Sequence, residues 1–364
     1  MFANRYYLVN LQLKNFPIRA ICCATILLFS VVDSFYAQKI NIGSYEFSDG
    51  AIYQGELAKG KPNGRGITHF KNGDRYEGQY LKGKRHGKGT YIFSDGEKYE
   101  GDWFQDQQHG FGVYYFINNN RYEGLWFRDY QHGKGIMYYY NGDVYDGNWV
   151  NDLREGEGTY TFSGGASYVG EWKKDRKDGK GVYDWADGNR YEGGWKENKK
   201  SGHGTFIYAT GDKYTGGWLN DEQHGHGIYQ FGDGNVYEGM YVKGQRTGEG
   251  IYTYQNGDRY VGNFMDGDQN GHGTFTWKGG ATYVGQWKQN CQHGKGKYTS
   301  ANGDVYEGDW VEGQMEGEGV LRQVDGTKYK GHFKAGLKHG YGIQEDRHGN
   351  RYEGIFHEGE IKDR

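Results

Sequence analysis

A tyrosine that recurs every 23 residues constrains the fold of this chain more than any other feature. Starting from Tyr53, every step of 23 residues lands on tyrosine with no insertion or deletion: Tyr76, Tyr99, Tyr122, Tyr145, Tyr168, Tyr191, Tyr214, Tyr237, Tyr260, Tyr283, Tyr306, Tyr329 and Tyr352. The unit therefore occurs thirteen times in full and once in part between Tyr53 and Arg364. A fixed period of this length is the signature of a repeat architecture, in which each unit packs against its neighbours.

Each repeat opens with a pattern that predicts a strand with one buried face. Counting the tyrosine as position 0, position 2 is always glycine and position 4 is a large apolar residue, most often tryptophan. Because side chains alternate along a strand, positions 0, 2 and 4 point to one side. The intervening residues, such as Glu77 and Asp102, are expected to face solvent.

The rest of the unit predicts a turn and a second strand. Position 7 is only Gly, Asp or Asn, the residue types that tolerate positive φ, so we expect a left-handed turn there. The second strand begins Gly-x-Gly, as in Gly87 and Gly89, and continues with alternating aromatics such as Tyr91 and Phe93. We expect both glycines to face the aromatic pair of the first strand.

A second turn closes each unit, most often at Asn-Gly or Asp-Gly, as in Asn72-Gly73. This pair is typical of a type I′ hairpin turn, in which both central residues have positive φ. A single hairpin is marginally stable, so each must bury its rings against the next. The chain has 35 Tyr and 10 Trp to do this, and only 2 Pro. The predicted fold is all-β: an elongated single sheet of antiparallel hairpins, roughly 130 Å along the array.

The run from Tyr76 to Gly89 (YEGQYLKGKRHGKG), completed by Thr90 to Gly96 (TYIFSDG), resembles the MORN (membrane occupation and recognition nexus) repeat. The resemblance covers about residues 47–364. It implies an elongated hairpin array that serves as a scaffold, a dimerisation surface or a peripheral membrane-associated element. Phospholipid binding has been attributed to the family, although the repeat alone does not imply it. Some relatives carry a kinase or methyltransferase domain in addition, and the repeats from Tyr53 onward leave no room for one.

The first 37 residues have a different composition from the repeats. Basic residues precede an apolar run from Ala20 to Val32, which is long enough for a signal peptide and short of the roughly 20 residues that span a bilayer. We expect residues 1–37 to be a signal peptide that directs export to the periplasm, cell surface or medium, or else an uncleaved N-terminal membrane anchor. Residues 38–52 form a lead-in with a partial repeat, and residues 53–364 form the repeat array.

No pattern in the sequence indicates catalysis, a cofactor or a metal. Position 10 often carries histidine, but equivalent atoms in adjacent repeats lie about 9–10 Å apart, too far to share a zinc ion. That set is His86, His109, His132, His224, His293 and His339. Gly-x-Gly opens a strand and not the helix that phosphate binding requires. The acidic column, which includes Glu77, Glu100, Glu123 and Asp146, is typical of a solvated strand face. Cys291 is the only cysteine in the array, so the repeats contain no disulfide framework.

Two functional hypotheses follow. The first is a non-enzymatic scaffold at the cell envelope, whose partners are other proteins, a second copy of itself as a homodimer, or phospholipid at a membrane surface. With a net charge of −3 and no basic stripe, nucleic acid is not an expected partner. The alternative is an aromatic-rich surface module that binds glycan or choline. Extra aromatics at Tyr115, Tyr130, Tyr138 and Tyr140 predict that any exposed aromatic patch lies in the third and fourth repeats.

Overall fold

The computed structural model describes residues 41–363, which form one open sheet of 29 antiparallel strands. Strand follows strand in chain order, so every neighbour in the sheet is a neighbour in sequence. No helix in residues 41–363 is long and apolar enough to cross a membrane. The predicted signal peptide or anchor at residues 1–37, and the first three residues of the lead-in, lie outside the described residues.

Each repeat contributes a shorter first strand and a longer second strand. The lead-in strand is β1 (Asn41–Glu46). The first strands are β2 (Ile52–Ala58), β4 (Arg75–Leu81), β6 (Lys98–Phe104), β8 (Arg121–Phe127), β10 (Val144–Val150), β12 (Ser167–Lys173), β14 (Arg190–Lys196), β16 (Lys213–Leu219), β18 (Val236–Val242), β20 (Arg259–Met265), β22 (Thr282–Lys288), β24 (Val305–Val311), β26 (Lys328–Lys334) and β28 (Arg351–His357).

The second strands are β3 (Lys61–His69), β5 (Lys84–Ile92), β7 (Gln107–Tyr115), β9 (Tyr130–Tyr138), β11 (Leu153–Thr161), β13 (Arg176–Asp184), β15 (Lys199–Ile207), β17 (Glu222–Gln230), β19 (Gln245–Thr253), β21 (Asp268–Thr276), β23 (Cys291–Thr299), β25 (Gln314–Arg322), β27 (Leu337–Glu345) and β29 (Glu360–Asp363). This succession confirms the predicted all-β single-sheet array of hairpins.

The register gives the sheet an aromatic face and a polar face. Within the second repeat, Tyr76 pairs with Tyr91 and Gly78 with Gly89. A bulge then shifts the register so that position 4 pairs with position 9, which is Tyr80 with Arg85 here. The aromatic face consists of positions 0, 2, 4, 9, 13, 15 and 17, and the polar face carries positions 1, 3, 5, 12 and 14. Side chains of the tyrosine column from Tyr53 to Tyr329 are almost fully buried, which confirms the predicted alternation.

The two turns of each repeat differ in conformation. Type I′ geometry was predicted for the Asn-Gly turn, but the structure has it in the turn after the first strand. In the turn after the first strand, Lys82 and Gly83 have φ of 53° and 85°, so both central residues are left-handed as type I′ requires. The predicted left-handed conformation at position 7 is therefore confirmed.

In the Asn-Gly turn only the glycine is left-handed. Gly73 has φ of 93° and donates its N–H to the Phe70 carbonyl (3.1 Å), while Asn72 has negative φ. This is a type I turn followed by a left-handed glycine. Asn72 is selected because its side-chain oxygen accepts the Asp74 N–H at 3.1 Å.

The tyrosines are buried although the sheet has a single layer, because each ring lies flat against the backbone of the same sheet. The Tyr76 ring lies over Gly89, and its hydroxyl donates to the Gln79 carbonyl at 3.0 Å. Trp103 of the next repeat then packs edge-on against both Tyr76 (5.3 Å between ring centroids) and Tyr99 (5.2 Å), and its Nε1 donates to the Gly89 carbonyl. Each tryptophan thus joins two repeats, which is why no second layer is needed.

One expectation about the glycines is wrong. Only the second glycine of each Gly-x-Gly faces the tyrosine ring. The first, such as Gly87, has φ of 64° and lies in the bulge, where an added Cβ would meet the Gln79 side chain of the polar face. The bulge needs a left-handed residue at that point, so this glycine is set by backbone conformation and not by ring packing.

Candidate interaction surfaces

The polar face carries shallow grooves along the array. One, of about 570 Å³, crosses the first three repeats and is lined by residues that include Glu77, Lys88, Thr90 and Glu100. Two more, of about 550 and 610 Å³, follow one another over the eighth to thirteenth repeats. The grooves are open strand surface with mixed charge, a geometry suited to contact with an extended partner.

Charged side chains on the polar face pair with each other across strands. Lys88 lies 2.8 Å from Asp102, and Lys295 lies 2.6 Å from Asp309 in the equivalent columns. In the acidic column predicted to face solvent, Glu100 accepts a hydrogen bond at 2.8 Å from Lys98 of its own strand. Exposed pairs of this kind contribute about 0–1 kcal/mol each, so they keep the face solvated and do not hold the fold together.

An exposed apolar patch interrupts the polar face in the third and fourth repeats, where the sequence predicted it. This apolar patch consists of Phe104, Phe111, Leu125, Phe127 and Tyr130, each 43–50% exposed. Phe111 pairs with Leu125 across strands, and Phe127 pairs with Tyr130. Large exposed apolar patches mark contact sites for other molecules.

The four aromatics named from the sequence do not lie together. Of these, only Tyr130 belongs to the apolar patch. Tyr115 lies beneath the Lys98 ammonium and Tyr138 beneath the Arg121 guanidinium, each at 4.3 Å from cation to ring centroid. Tyr140 is 75% exposed and follows the second strand, in the turn.

Three histidines of position 10, which are His86, His109 and His132, pack beside the phenylalanines of position 5. The His109 ring lies between Phe104 and Phe127, at 5.5 and 5.4 Å between centroids, and His132 contacts Phe127 at 5.7 Å. Within residues 41–363, no group of three or more His, Cys, Asp or Glu side chains is arranged to hold a metal ion. Cys291 is an exposed free thiol.

One column of the aromatic face, which is position 9, was missed from the sequence. Position 9 places long side chains over the rings. Arg85 lies 4.3 Å from the Trp103 ring centroid, and Lys177 lies 4.0 Å from Trp195. The whole column is Pro62, Arg85, Gln108, Gln131, Arg154, Lys177, Lys200, Gln223, Arg246, Gln269, Gln292, Met315, Lys338 and Ile361. The available signal was that this column contains no acidic, small or aromatic residue.

Burial and ring contact act in opposite directions on these cations. Burial lowers the pKa of Lys177 to about 8, with the nearby Lys200 charge acting in the same direction and Asp221 against it. The Trp195 ring face favours the charged ammonium. Burial also raises the pKa of the Tyr76 hydroxyl far above its ordinary value, so the tyrosine remains a neutral hydrogen-bond donor.

The aromatic face also contains a groove of about 750 Å³, whose lining extends from the second to the sixth repeat. Gln108, Gln131, Trp126 and Trp149 line it, together with Met137 at a position that is aromatic in most repeats. Carboxylates stand along one side of the groove. They are Asp129, Asp152 and Asp175. We call it the aromatic-face groove.

Comparison with known proteins gives one clear result. A family model described as the MORN repeat matches thirteen consecutive segments, 53–75, 76–98, 99–121, 122–144, 145–167, 168–190, 191–213, 214–236, 237–259, 260–282, 283–305, 306–328 and 329–351. No curated protein matches the chain in sequence.

Several solved structures are similar to this chain at low identity and with low TM-scores. The TCP domain of Drosophila melanogaster SAS-4, in complex with a proline-rich motif of Ana2, is 14% identical, with 43% of this chain and 85% of that chain covered and a TM-score of 0.28. The TCP10 domain of Danio rerio CPAP is 10% identical, with 60% and 92% covered and a TM-score of 0.23. Virginiamycin B lyase from Staphylococcus aureus is 10% identical, with 86% and 99% covered and a TM-score of 0.13.

Proposed function

Because the chain belongs to the MORN repeat family, we propose that it is a non-enzymatic scaffold at the cell envelope. The repeats mark it as a repeat-based interaction or scaffold protein. The observation that carries the finer proposal is the continuous exposed face of a single sheet, which every repeat from Tyr53 onward extends in the same register. A partner can contact many repeats at once along such a face, so weak contacts add up.

The apolar patch supports a protein partner. Its five side chains would gain free energy from burial at about 25 cal/mol per Å² of apolar surface, whereas the surrounding charged pairs offer little. An aromatic and aliphatic cluster surrounded by polar residues is the usual arrangement at the centre of a protein contact.

A pull-down from envelope extract tests the scaffold with a matched pair of variants. Phe111→Ser with Phe127→Ser removes two exposed rings of the apolar patch, and capture of the partner is expected to fall at least tenfold. The control, Val169→Ser with Val311→Ser, removes two side chains of similar exposure on the polar face, outside the grooves. Equal capture by both variants would contradict a contact through the apolar patch.

We also propose that the protein is exported and that two copies associate as a homodimer. Mass spectrometry of the protein from its native host should find a mature N-terminus near Gln38. Light scattering on the purified protein tests the homodimer, and flotation with phospholipid vesicles tests peripheral membrane contact. An intact N-terminus in a cytosolic fraction would contradict location at the envelope.

The glycan- or choline-binding alternative is a second proposal, favoured by the aromatic-face groove. It predicts that choline chloride or oligosaccharides change tryptophan fluorescence, because Trp126 and Trp149 line that groove. A scaffold without this activity predicts no change.

A further inference from the structure

The first strand of the described sheet belongs to the second half of a repeat. Residues 43–50 (GSYEFSDG) match residues 89–96 (GTYIFSDG) of the second repeat in type and order, so they occupy positions 13 to 20. Accordingly β1 (Asn41–Glu46) pairs with β2 as every second strand pairs with the first strand of the following repeat. Within residues 41–363, no strand pairs with the other edge of β1, where the first strand of its own repeat would lie.

The last described repeat contains the complementary half. Residues 352–363 occupy positions 0 to 11, with β28 as the first strand. The second strand, β29, has four residues and pairs with β28 over Ile355–His357 only. In a full repeat the first strand is paired from the residue before the tyrosine to position 5. Within the described residues, the part of β28 that contains Arg351, Glu353 and Gly354 therefore has a neighbouring strand on one side, which is β27.

The tyrosine of the last described repeat is held differently from the other tyrosines of its column. In the thirteen full repeats the tyrosine hydroxyl donates to the carbonyl of position 3, as Tyr329 does to His332 at 3.0 Å. The Tyr352 hydroxyl instead donates to Asp346 Oδ2 at 3.4 Å, and its side chain is only partly buried. Because β29 provides positions 8 to 11, the described part of this repeat does not include the glycine of position 13 that lies beneath the ring elsewhere.

The glycine of position 13 in β1 lies beneath no ring in the described sheet. On Gly66 of the first full repeat, an added Cβ would lie 2.1–2.4 Å from three atoms of the Tyr53 side chain. On Gly43 the described residues place only Leu57 near an added Cβ, with Cδ1 at 2.9 Å. Leu57 is also the one residue of its column, position 4, that is not aromatic. Gly43 therefore offers a place for a tyrosine ring beside an aliphatic side chain whose end can move.

We propose that these two edges join between copies of the chain: β28 of one copy pairs with β1 of a second copy, and together they complete one repeat. The register of the full repeats then places Gly354 opposite Gly43 of the second copy, and Tyr352 opposite its Tyr45. The Tyr352 ring lies over that Gly43, and its hydroxyl reaches the Ile355 carbonyl of position 3, as in the full repeats. Exposed edge strands pair readily with another chain.

The charges at the two edges are complementary. The residue before the tyrosine pairs with position 16, so Arg351 lies opposite Glu46 of the second copy. Within its own copy Arg351 is 62% exposed and contacts Glu353 of the same strand at 3.0 Å. Opposite charges directly across two strands stabilise their pairing. Only position 11 is supplied twice, by Asp363 and by Asn41 of the second copy, so one of these strand ends leaves the sheet at the junction.

The contact joins two different edges, so it does not close on itself. Each copy offers β28 at one end of the sheet and β1 at the other, which is a heterologous contact. Association therefore continues beyond two copies and produces an open filament with one continuous sheet. Each copy adds its thirteen full repeats and the joined one, or about 130 Å along the sheet. This inference deepens the proposed self-association, because it names the two edges that meet and predicts a filament where a two-fold contact gives a dimer.

Disulfide formation between two single-cysteine variants tests the contact and its register. Glu353 lies directly opposite Ser44 of the second copy in the proposed pairing, at a Cα separation that a disulfide can bridge. With the three native cysteines replaced by alanine, a mixture of Glu353→Cys and Ser44→Cys should form a covalent dimer on mild oxidation, and neither variant should do so alone. Lys330→Cys, in the same column one repeat earlier, is the matched control and should not cross-link to Ser44→Cys.

Sedimentation velocity of the protein purified from its native host, over a range of concentrations, tests the ring position. Gly43→Ala should keep the fold, because only the flexible end of Leu57 lies near the added methyl group. Association should weaken by about tenfold or more, because that methyl group meets the incoming Tyr352 ring. Ser48→Ala, in the turn after β1, is the control and should associate as the native chain does. Circular dichroism checks that both variants retain their strands.

A charge exchange tests the polar contact at the same edge. Glu46→Lys places two cations opposite each other and should weaken association by about twofold to fivefold. Combining Glu46→Lys with Arg351→Glu restores opposite charges and should recover most of that loss. Both residues are exposed, so neither change alters the core.

Several results would overturn the proposal. They are native-like association of Gly43→Ala, equal cross-linking through Lys330→Cys, cross-linking of Glu353→Cys with itself, and a protein that stays monomeric at every concentration. A two-fold homodimer joined through another surface would leave the proposed function intact and refute only this inference. Filaments that capture no envelope protein would have the opposite meaning, since they would support the edge contact and contradict the scaffold.

Discussion

At the scale of single residues, the closest packing in this protein occurs at glycines, because these residues have no Cβ atom. The tyrosine of each repeat can lie on the sheet only because positions 2 and 13 have no Cβ. At Gly112 an added Cβ would lie 2.5 Å from Cε2 of the Tyr99 ring, too close for any side chain. The tyrosine hydroxyl then reaches a backbone carbonyl, so the buried polar group is satisfied.

Gly112→Ala is therefore expected to destabilise the array. The Tyr99 ring must move or the strands must separate, at a cost of about 1–3 kcal/mol. Chemical denaturation followed by tryptophan fluorescence measures this loss. Gly164→Ala is the matched control, because its added methyl meets no atom within 4 Å and its φ is not positive. A loss of equal size in both variants would contradict the role of ring packing.

Lys177 gives a pH dependence with a definite sign. With a folded pKa of about 8, the unfolded chain binds more protons than the folded chain between about pH 8 and the ordinary lysine pKa near 10.4. Its contribution to the free energy of unfolding therefore rises with pH across this window, and its burial cost is fully present below pH 8.

Lys177→Gln tests that sign, since glutamine occupies the same column at Gln131. The stability of the native chain minus that of the variant should increase from pH 8 to pH 10, measured by urea denaturation at each pH. The exposed Lys199→Gln corrects for loss of one charge. A difference that falls with pH would contradict the buried-ammonium interpretation.

At the scale of the hairpin, the turn after the first strand combines favourable and strained residues. Position 7 is Gly, Asp or Asn, which accept positive φ, but position 6 holds left-handed residues of many types, including Lys59, Lys82, Gln105 and Arg128. A lysine in that conformation costs free energy that the strong pairing of the flanking strands offsets.

Lys82→Asn should therefore increase the free energy of unfolding by about 0.5–1 kcal/mol. Asn151 and Asn220 already occupy the equivalent position with φ of 50° and 51°. Thermal denaturation by circular dichroism measures the gain. Lys84→Asn, at the first residue of β5, should give none, because asparagine is disfavoured in extended strand.

At the scale of the whole described sheet, stability is shared along the repeats. Each tryptophan contacts the tyrosine of its own repeat and that of the preceding repeat, so every repeat is stabilised by its neighbours. The contact between adjacent repeats has the same register at each junction, since Gly87 pairs with Trp103 and Gly110 pairs with Trp126.

Deletion of residues 191–213, one complete repeat, should therefore leave a folded array shorter by about 9–10 Å. Small-angle scattering measures the length and circular dichroism the strand content. Deletion of Glu192 alone shifts the rest of β14 by one residue and turns Trp195 to the polar face, because side chains alternate along a strand. That variant should aggregate or unfold, and equal tolerance of both deletions would contradict a fixed register.

The sequence by itself determined the repeat length, the strands, the face that each tyrosine and tryptophan occupies, and the left-handed position 7, because these depend on local conformation and period-two alternation. Only the tertiary structure decided which turn is type I′ and why one glycine of each pair bends the strand, since both depend on the bulge between paired strands. It also decided that Arg85 and Gln131 belong to the aromatic face. The register between two strands decides which side chains are neighbours across them. Because register depends on both strands, it cannot be read from the sequence of either strand alone.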